Sequence, residues 1–334
     1  MRNNNRKITP GTKIKYVGRK QLIGAYILAI LLVVNVVFLL KTQTEIDNIH
    51  QSLAKVVNVL STEREEPQTK DIISDRLPDN YVQASSLDYP SLCVLPKVDK
   101  PVRRSRGEAL AKLEELAKDS QIIDNIYRNR SDYSDDMLEA LANNPEMADF
   151  VAGYLKADAK QGKVELTEAE KTQNYPLFLQ WDPRWGYEEY GDDSNIGLAG
   201  CGPTCISMAM YYLLGDETLT PDTIAAYGMK NGYYVAGTGT AWSLLSDVPG
   251  LHGLSVSEPE IAEKTMKRAL DKGGILICSM RPGDFTAGGH FVVIYGYDDK
   301  GFLINDPNCV ARSREHWSYE KIGKQIKHLW CYSI

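Results

Sequence analysis

The run Ala199-Gly200-Cys201-Gly202-Pro203-Thr204 leads directly into Cys205-Ile206-Ser207-Met208-Ala209-Met210-Tyr211-Tyr212-Leu213-Leu214. A proline that suits a first helical turn, followed by a nearly unbroken apolar stretch, predicts a largely buried helix that Gly215 can end. Cys201 then stands at the helix N-terminus, where the aligned peptide dipoles place partial positive charge. A helix N-terminus and a partner imidazolium are the two usual ways a weakly nucleophilic thiol becomes a reactive thiolate. Far downstream, Gly288-Gly289-His290 and then Asn305-Asp306-Pro307 supply an imidazole and a carboxylate.

Charge divides the chain before that point. Residues 1–20 carry seven basic side chains (Arg2, Arg6, Lys7, Lys13, Lys15, Arg19, Lys20) and no acid, whereas the remainder carries 31 basic against 44 acidic residues. Leu22 to Leu40 is uncharged, and at helical rise it spans about 28 Å, enough for a bilayer core. The basic side stays in the cytoplasm, so the bulk of the chain is expected outside it. A cleavable signal peptide is the competing reading. The polar Lys41-Thr42-Gln43-Thr44 directly after the run favours a retained anchor. An acidic extracytoplasmic bulk makes nucleic acid an unsuitable partner and leaves the bilayer as the partner of the N-terminus.

The sequence therefore divides into a basic tail (1–21), a transmembrane anchor (22–40), an amphipathic stalk helix (41–66) and a proline-containing linker (67–106). A helical segment (107–172) and a C-terminal domain (173–334) follow. Ile46, Ile49, Leu53, Val56 and Leu60 form a short seam in the stalk, and weak self-association through it is the sharper alternative to a plain amphipathic helix. Leu110, Leu113 and Leu116 share a helical face in the next segment, and Asn144-Pro145-Glu146 reads as a cap with proline in the first turn. Strand patterns are confined to the C-terminal half. Ile275–Met280 reads as a buried strand, Phe291–Tyr297 with Phe302–Asp306 as a hairpin, and Glu258–Lys272 as an amphipathic helix. Helices first and antiparallel strands later predict an α+β domain.

Six cysteines in an exported chain suggest disulfides. A nucleophilic Cys201 leaves an odd number, Cys278 lies in an apolar run, and pairing of Cys309 with Cys331 is left open. Cys201 and Cys205 have too few Cys or His neighbours for a four-ligand site, so neither a metal nor an organic cofactor is expected. His50, His252, His316 and His328 lack a setting comparable to that of His290. Trp181, Trp185 and Trp242 are read first as packing residues and second as cleft walls.

Gln180-Trp181-Asp182-Pro183-Arg184-Trp185, Gly200-Cys201-Gly202-Pro203-Thr204, Gly289-His290-Phe291-Val292 and Asn305-Asp306-Pro307 together resemble the bacterial papain-fold cysteine peptidases. More narrowly, they resemble relatives of the bacteriocin-leader-processing (double-glycine) peptidases of the stand-alone, membrane-anchored type. The resemblance covers about residues 173–334. It implies a papain-like domain in which Cys201 is the nucleophile, His290 the general base and acid, and Asp306 the group orienting the imidazole. Gln180 would donate to the oxyanion beside the backbone N–H of Cys201. It also implies a peptide or protein substrate and no cofactor. Gln180 lies farther from Cys201 than the corresponding residue does in papain. Asn305 and Asp306 alternate along a strand, so only one of them can face His290, and Asn308 is close by; Asp306 is taken as the partner. An amidase or transpeptidase acting on wall peptides, and an inactive surface-binding protein, are the alternative readings.

Overall fold

Serine caps start the N-terminal helices. Ser105 opens α1 (Arg106–Leu116) with a reciprocal capping box: its side chain accepts from the Glu108 N–H, and Glu108 accepts from the Ser105 N–H at 2.8 Å. Ser120 and Ser134 cap α2 (Gln121–Arg128) and α3 (Asp135–Asn143) in the simpler way. Asn144 accepts from the Glu146 N–H at 3.1 Å and starts a 3₁₀ turn, Pro145–Met147, that runs into α4 (Ala148–Tyr154). The end of the proline-containing stretch is pinned to α3, since Asn143 exchanges hydrogen bonds with both backbone groups of Val102.

The computed structural model describes residues 95–157 and 164–334. The tail, the anchor, the stalk and most of the linker read from the sequence lie outside them. Among the described residues no helix is long and apolar enough to cross a membrane.

Two short helices, α5 (Glu168–Lys171) and α6 (Ile196–Ala199), precede the long buried one, α7 (Cys201–Leu214), which Gly215 ends in the left-handed region at φ +65°. After α7 come α8 (Pro221–Lys230), a two-stranded ribbon of β1 (Tyr234–Val235) and β2 (Gly239–Thr240), and α9 (Leu244–Leu251). The remaining strands are β3 (Ser255–Ser257), β4 (Ile275–Met280), β5 (His290–Tyr297), β6 (Phe302–Asn305), β7 (His316–Trp317) and β8 (Ile326–Ser333). They form one antiparallel sheet in the order β3-β8-β4-β5-β6-β7. Between them lie α10 (Glu263–Asp271), α11 (Val310–Ser313) and α12 (Tyr319–Ile322). The helix expected from Glu258 starts only at Glu263, with Ala262 before it in an extended conformation at φ −140° and ψ 138°.

Alternation along β4 and β5 separates two cores. Ile275, Ile277, Phe291 and Val293 join α7 and the N-terminal helices, whereas Leu276, Cys278, Val292 and Ile294 pack with Met266 of α10, Phe285 and Trp317. Leu113, Ile126, Leu138 and Phe150 of the helical segment share the first core with Ile206 and Met210 of α7. The segment is thus built into the domain. Phe150 illustrates the fit: it stacks on Tyr187, and a Cβ on Gly197, just before the nucleophile loop, would stand 2.3 Å from the Phe150 ring. Emptying this fully buried site with Phe150→Ala should cost about 3–5 kcal/mol of stability by chemical denaturation, in one transition that takes the helical segment and the sheet together. A loss below about 1 kcal/mol, or two separated transitions, would contradict this shared core.

Candidate active site

The first turn of α7 presents Cys201, partly exposed at the helix N-terminus. Backbone N–H groups of a first turn have no intrahelical acceptor, so the Cys201 amide is free to donate outward. Gly202 is required by contact. A Cβ there would stand 2.5 Å from Thr240 Oγ1, which is itself held by the Tyr190 hydroxyl at 2.8 Å.

His290 opens β5 and is buried. Its Nε2 lies 2.7 Å from Asp306 Oδ1. The carboxylate accepts, so Nε2 carries the proton and Nδ1 is the ring nitrogen left to interact with the Cys201 thiol, whose charge helps raise the ring. Thr286 Oγ1 accepts from the Gly288 N–H and donates to the Gly289 carbonyl, shaping the approach to His290.

Asp306 follows β6 and is fully buried. Its Oδ1 also accepts from the Asn308 N–H at 2.8 Å, and its Oδ2 accepts from Arg312 Nε at 2.6 Å. Burial opposes its ionisation, yet Arg312 and His290 outweigh that and hold the carboxyl down to about 2. Burial likewise opposes charging His290, but Asp306 first and then Cys201 overcome it and raise the ring to about 9. Asn305 points elsewhere: its amide donates to the Tyr175 and Pro176 carbonyls, fixing the chain that leads to Gln180.

Gln180 is tied to the loop after Asp306 through its own N–H, which donates to the Pro307 carbonyl at 2.7 Å. Its Nε2 donates to the Gly197 carbonyl at 2.8 Å, which fixes the orientation of the amide. One Nε2–H is used there and the second remains for a ligand. Its Oε1 is buried without a partner among the described residues. All four side chains named from the sequence therefore converge. Cys201, His290 and Gln180 line a cleft of about 710 Å³, and Asp306 lies behind the imidazole.

Apart from Trp242, the other cleft residues named here carried no sequence signal. Asp136, Glu139, Asn143 and Met147 bring the helical segment into one wall, and Arg103 at the end of the linker joins them. Trp242, stacked on His328 and with the Lys327 ammonium over its ring, forms part of the lining. Trp181 and Trp185 are buried packing residues. The five described cysteines are all free, so the open pairing of Cys309 with Cys331 is not made. Burial pushes the Cys205, Cys278 and Cys309 thiols upward, away from reactivity.

Residues 172–332 match the model of the Peptidase_C39 like family. This segment is similar to the Peptidase_C39-like domains. Its α+β, papain-like architecture accords with that family. Two solved structures are similar to the chain. One is the peptidase domain of Streptococcus ComA, a bifunctional ABC transporter involved in a quorum-sensing pathway; it is 17% identical, with 40% of this chain and 91% of that one covered and a TM-score of 0.32. The other, from Bacillus anthracis, is described as a C39-like peptidase; it is 14% identical, with 52% and 98% covered and a TM-score of 0.31. No curated protein matches the chain. The C39-like match begins after the helical segment, so that part of the cleft wall lies outside it.

The raised His290 value has a definite sign in stability. Below the unfolded-state value of about 6.5 the ring is charged in both states and its full contribution is present; that contribution is lost as pH rises through about 9. The lowered Asp306 value acts oppositely, with stabilisation present above the ordinary carboxyl range and lost as pH falls through about 2. An NMR titration should find the His290 ring protonated up to about pH 9 in the native chain. Asp306→Asn should bring its midpoint down, and an unmoved midpoint would contradict the pairing.

Proposed function

We propose that the chain is a membrane-anchored cysteine peptidase acting outside the cytoplasm, with Cys201, His290, Asp306 and Gln180 as its working groups. The observation that carries this reading is the row formed by a thiol at a helix N-terminus, an imidazole and a buried carboxylate, open to a cleft. The C39-like match supports a peptide or protein as the substrate.

In the reaction, the Cys201 thiolate attacks the scissile carbonyl carbon and the carbonyl electron pair moves onto oxygen. That oxyanion takes hydrogen bonds from the Cys201 N–H and the free Nε2–H of Gln180. As the tetrahedral species collapses, the C–N bond breaks and the His290 imidazolium gives its Nδ1 proton to the leaving amine. The neutral imidazole then removes a proton from water, whose oxygen attacks the thioester. Collapse of the second adduct releases the acid and returns the thiolate–imidazolium pair. Asp306 keeps the ring in the tautomer that presents Nδ1 to sulfur and balances the charge on the imidazolium.

The anchor rests on the sequence: an uncharged Leu22–Leu40 behind a basic tail. A protease added to intact cells should remove the domain beyond the stalk, and full protection would reverse the orientation.

The chemistry is tested with a pool of fluorogenic peptides. Cys201→Ala should abolish hydrolysis while leaving the melting curve near that of the native chain. Gln180→Ala should lower kcat by about 10²–10³ with a smaller change in KM, because its bond forms to the oxyanion. Undiminished hydrolysis by Cys201→Ala would refute the assignment.

A further inference from the structure

Oδ2 of Asp306, on the side away from His290, meets a cation that no sequence pattern announced. Arg312 donates to it through Nε at 2.6 Å, and the guanidinium is itself buried, with neither Nη1 nor Nη2 hydrogen-bonded among the described residues. The side-chain hydrogen bond of this Arg is thus made through Nε alone, to one oxygen of the triad carboxylate. A fully buried carboxylate held on one oxygen alone could turn about its Cβ–Cγ bond. Held on both, it keeps the Oδ1 lone pair aimed at His290 Nε2.

Arg312 sits on α11, a single turn that cannot hold its own position. Glu146, from the helical segment, does so. It is buried, and its two carboxylate oxygens accept from the Val310 N–H at 2.7 Å and the Ala311 N–H at 2.9 Å, closing the start of α11. Beside it, the Asn144 amide donates to the Asn308 carbonyl, the residue whose N–H binds Asp306. From the cleft inward the titratable groups run His290, Asp306, Arg312 and Glu146, with the Cys309 thiol as the other titratable group facing the last two. Burial pushes the Glu146 carboxyl upward, against the two N–H groups and Arg312.

We propose that Arg312 is a positioning residue for Asp306, and that Glu146 holds Arg312 in place, making the helical segment a working part of the active site. This rests on the reading of Cys201 and His290 as the reacting pair and extends it outside the segment matched as C39-like.

The full chain is alkylated with iodoacetamide, the rate at Cys201 is followed by mass spectrometry, and the hydrogen-bonded Nε2–H resonance of His290 is recorded by NMR. Arg312→Met should slow alkylation about tenfold or more, the size of effect known for outer partners of metal-binding residues, and should weaken or shift that resonance. Arg312→Lys should recover part of both. Glu146→Gln, which keeps an acceptor for one of the two N–H groups but removes the charge, should move both readouts less than Glu146→Ala. If Cys201 of the native chain is no more reactive than a small free thiol, both the hydrolase reading and this extension are overturned. If it is reactive but a folded Arg312→Met and both Glu146 variants alkylate at the native rate with an unmoved His290 resonance, the hydrolase reading stands and the positioning role is wrong.

Discussion

The bond between His290 Nε2 and Asp306 Oδ1 is the constraint on which the site depends. It joins the start of β5 to the residue after β6, so the register of one hairpin sets its length. A buried carboxylate is costly unless its oxygens are satisfied, and here each oxygen has a donor: His290 and the Asn308 N–H on one, Arg312 on the other. Because the carboxylate is kept ionised, the imidazole is kept charged, and a charged imidazole beside a sulfur at a helix N-terminus is the arrangement that makes thiols nucleophilic. The electrostatic order runs from the core outward to the cleft.

Support for that order comes from unusually distant parts of the chain. The Gln180 N–H and the Trp181 indole both donate into the loop after Asp306, at Pro307 and Asn308. Asn144 and Glu146 reach the same loop from the helical segment. Phe150 closes against Gly197, whose carbonyl orients the Gln180 amide. The segment before the stretch matched as C39-like therefore shares the hydrophobic core, one wall of the cleft and the polar contacts behind Asp306.

Much of this was legible from residue order. The apolar run after Cys201 specified α7, the β4 and β5 patterns stood out as apolar strands, and Asn144-Pro145-Glu146 announced a cap. Local signals of that kind depend on near neighbours, which a sequence displays. Strand β8 was missed because Ile326-Lys327-His328-Leu329-Trp330-Cys331-Tyr332 alternates poorly. It lies between β3 and β4, and its second half is buried on both faces, so neither period appears cleanly. Arg312 and Glu146 were missed for a different reason. Their partners lie in a loop and in a separate helical segment, so no spacing rule links them. The choice of Asp306 over Asn305, made from the sequence, agrees with the contacts: Asn305 turns its amide to Tyr175 and Pro176, and Asp306 turns to His290.

The central claim is that one imidazole activates one sulfur. The most direct measurement is the site of covalent modification by a peptidyl epoxide on the full chain at neutral pH, mapped by mass spectrometry for the native protein and His290→Ala. The account predicts fast, single labelling at Cys201, with Cys205, Cys278, Cys309 and Cys331 untouched, and near-complete loss of labelling in the variant. Labelling spread over several cysteines, or equally fast at Cys201 without His290, would contradict it.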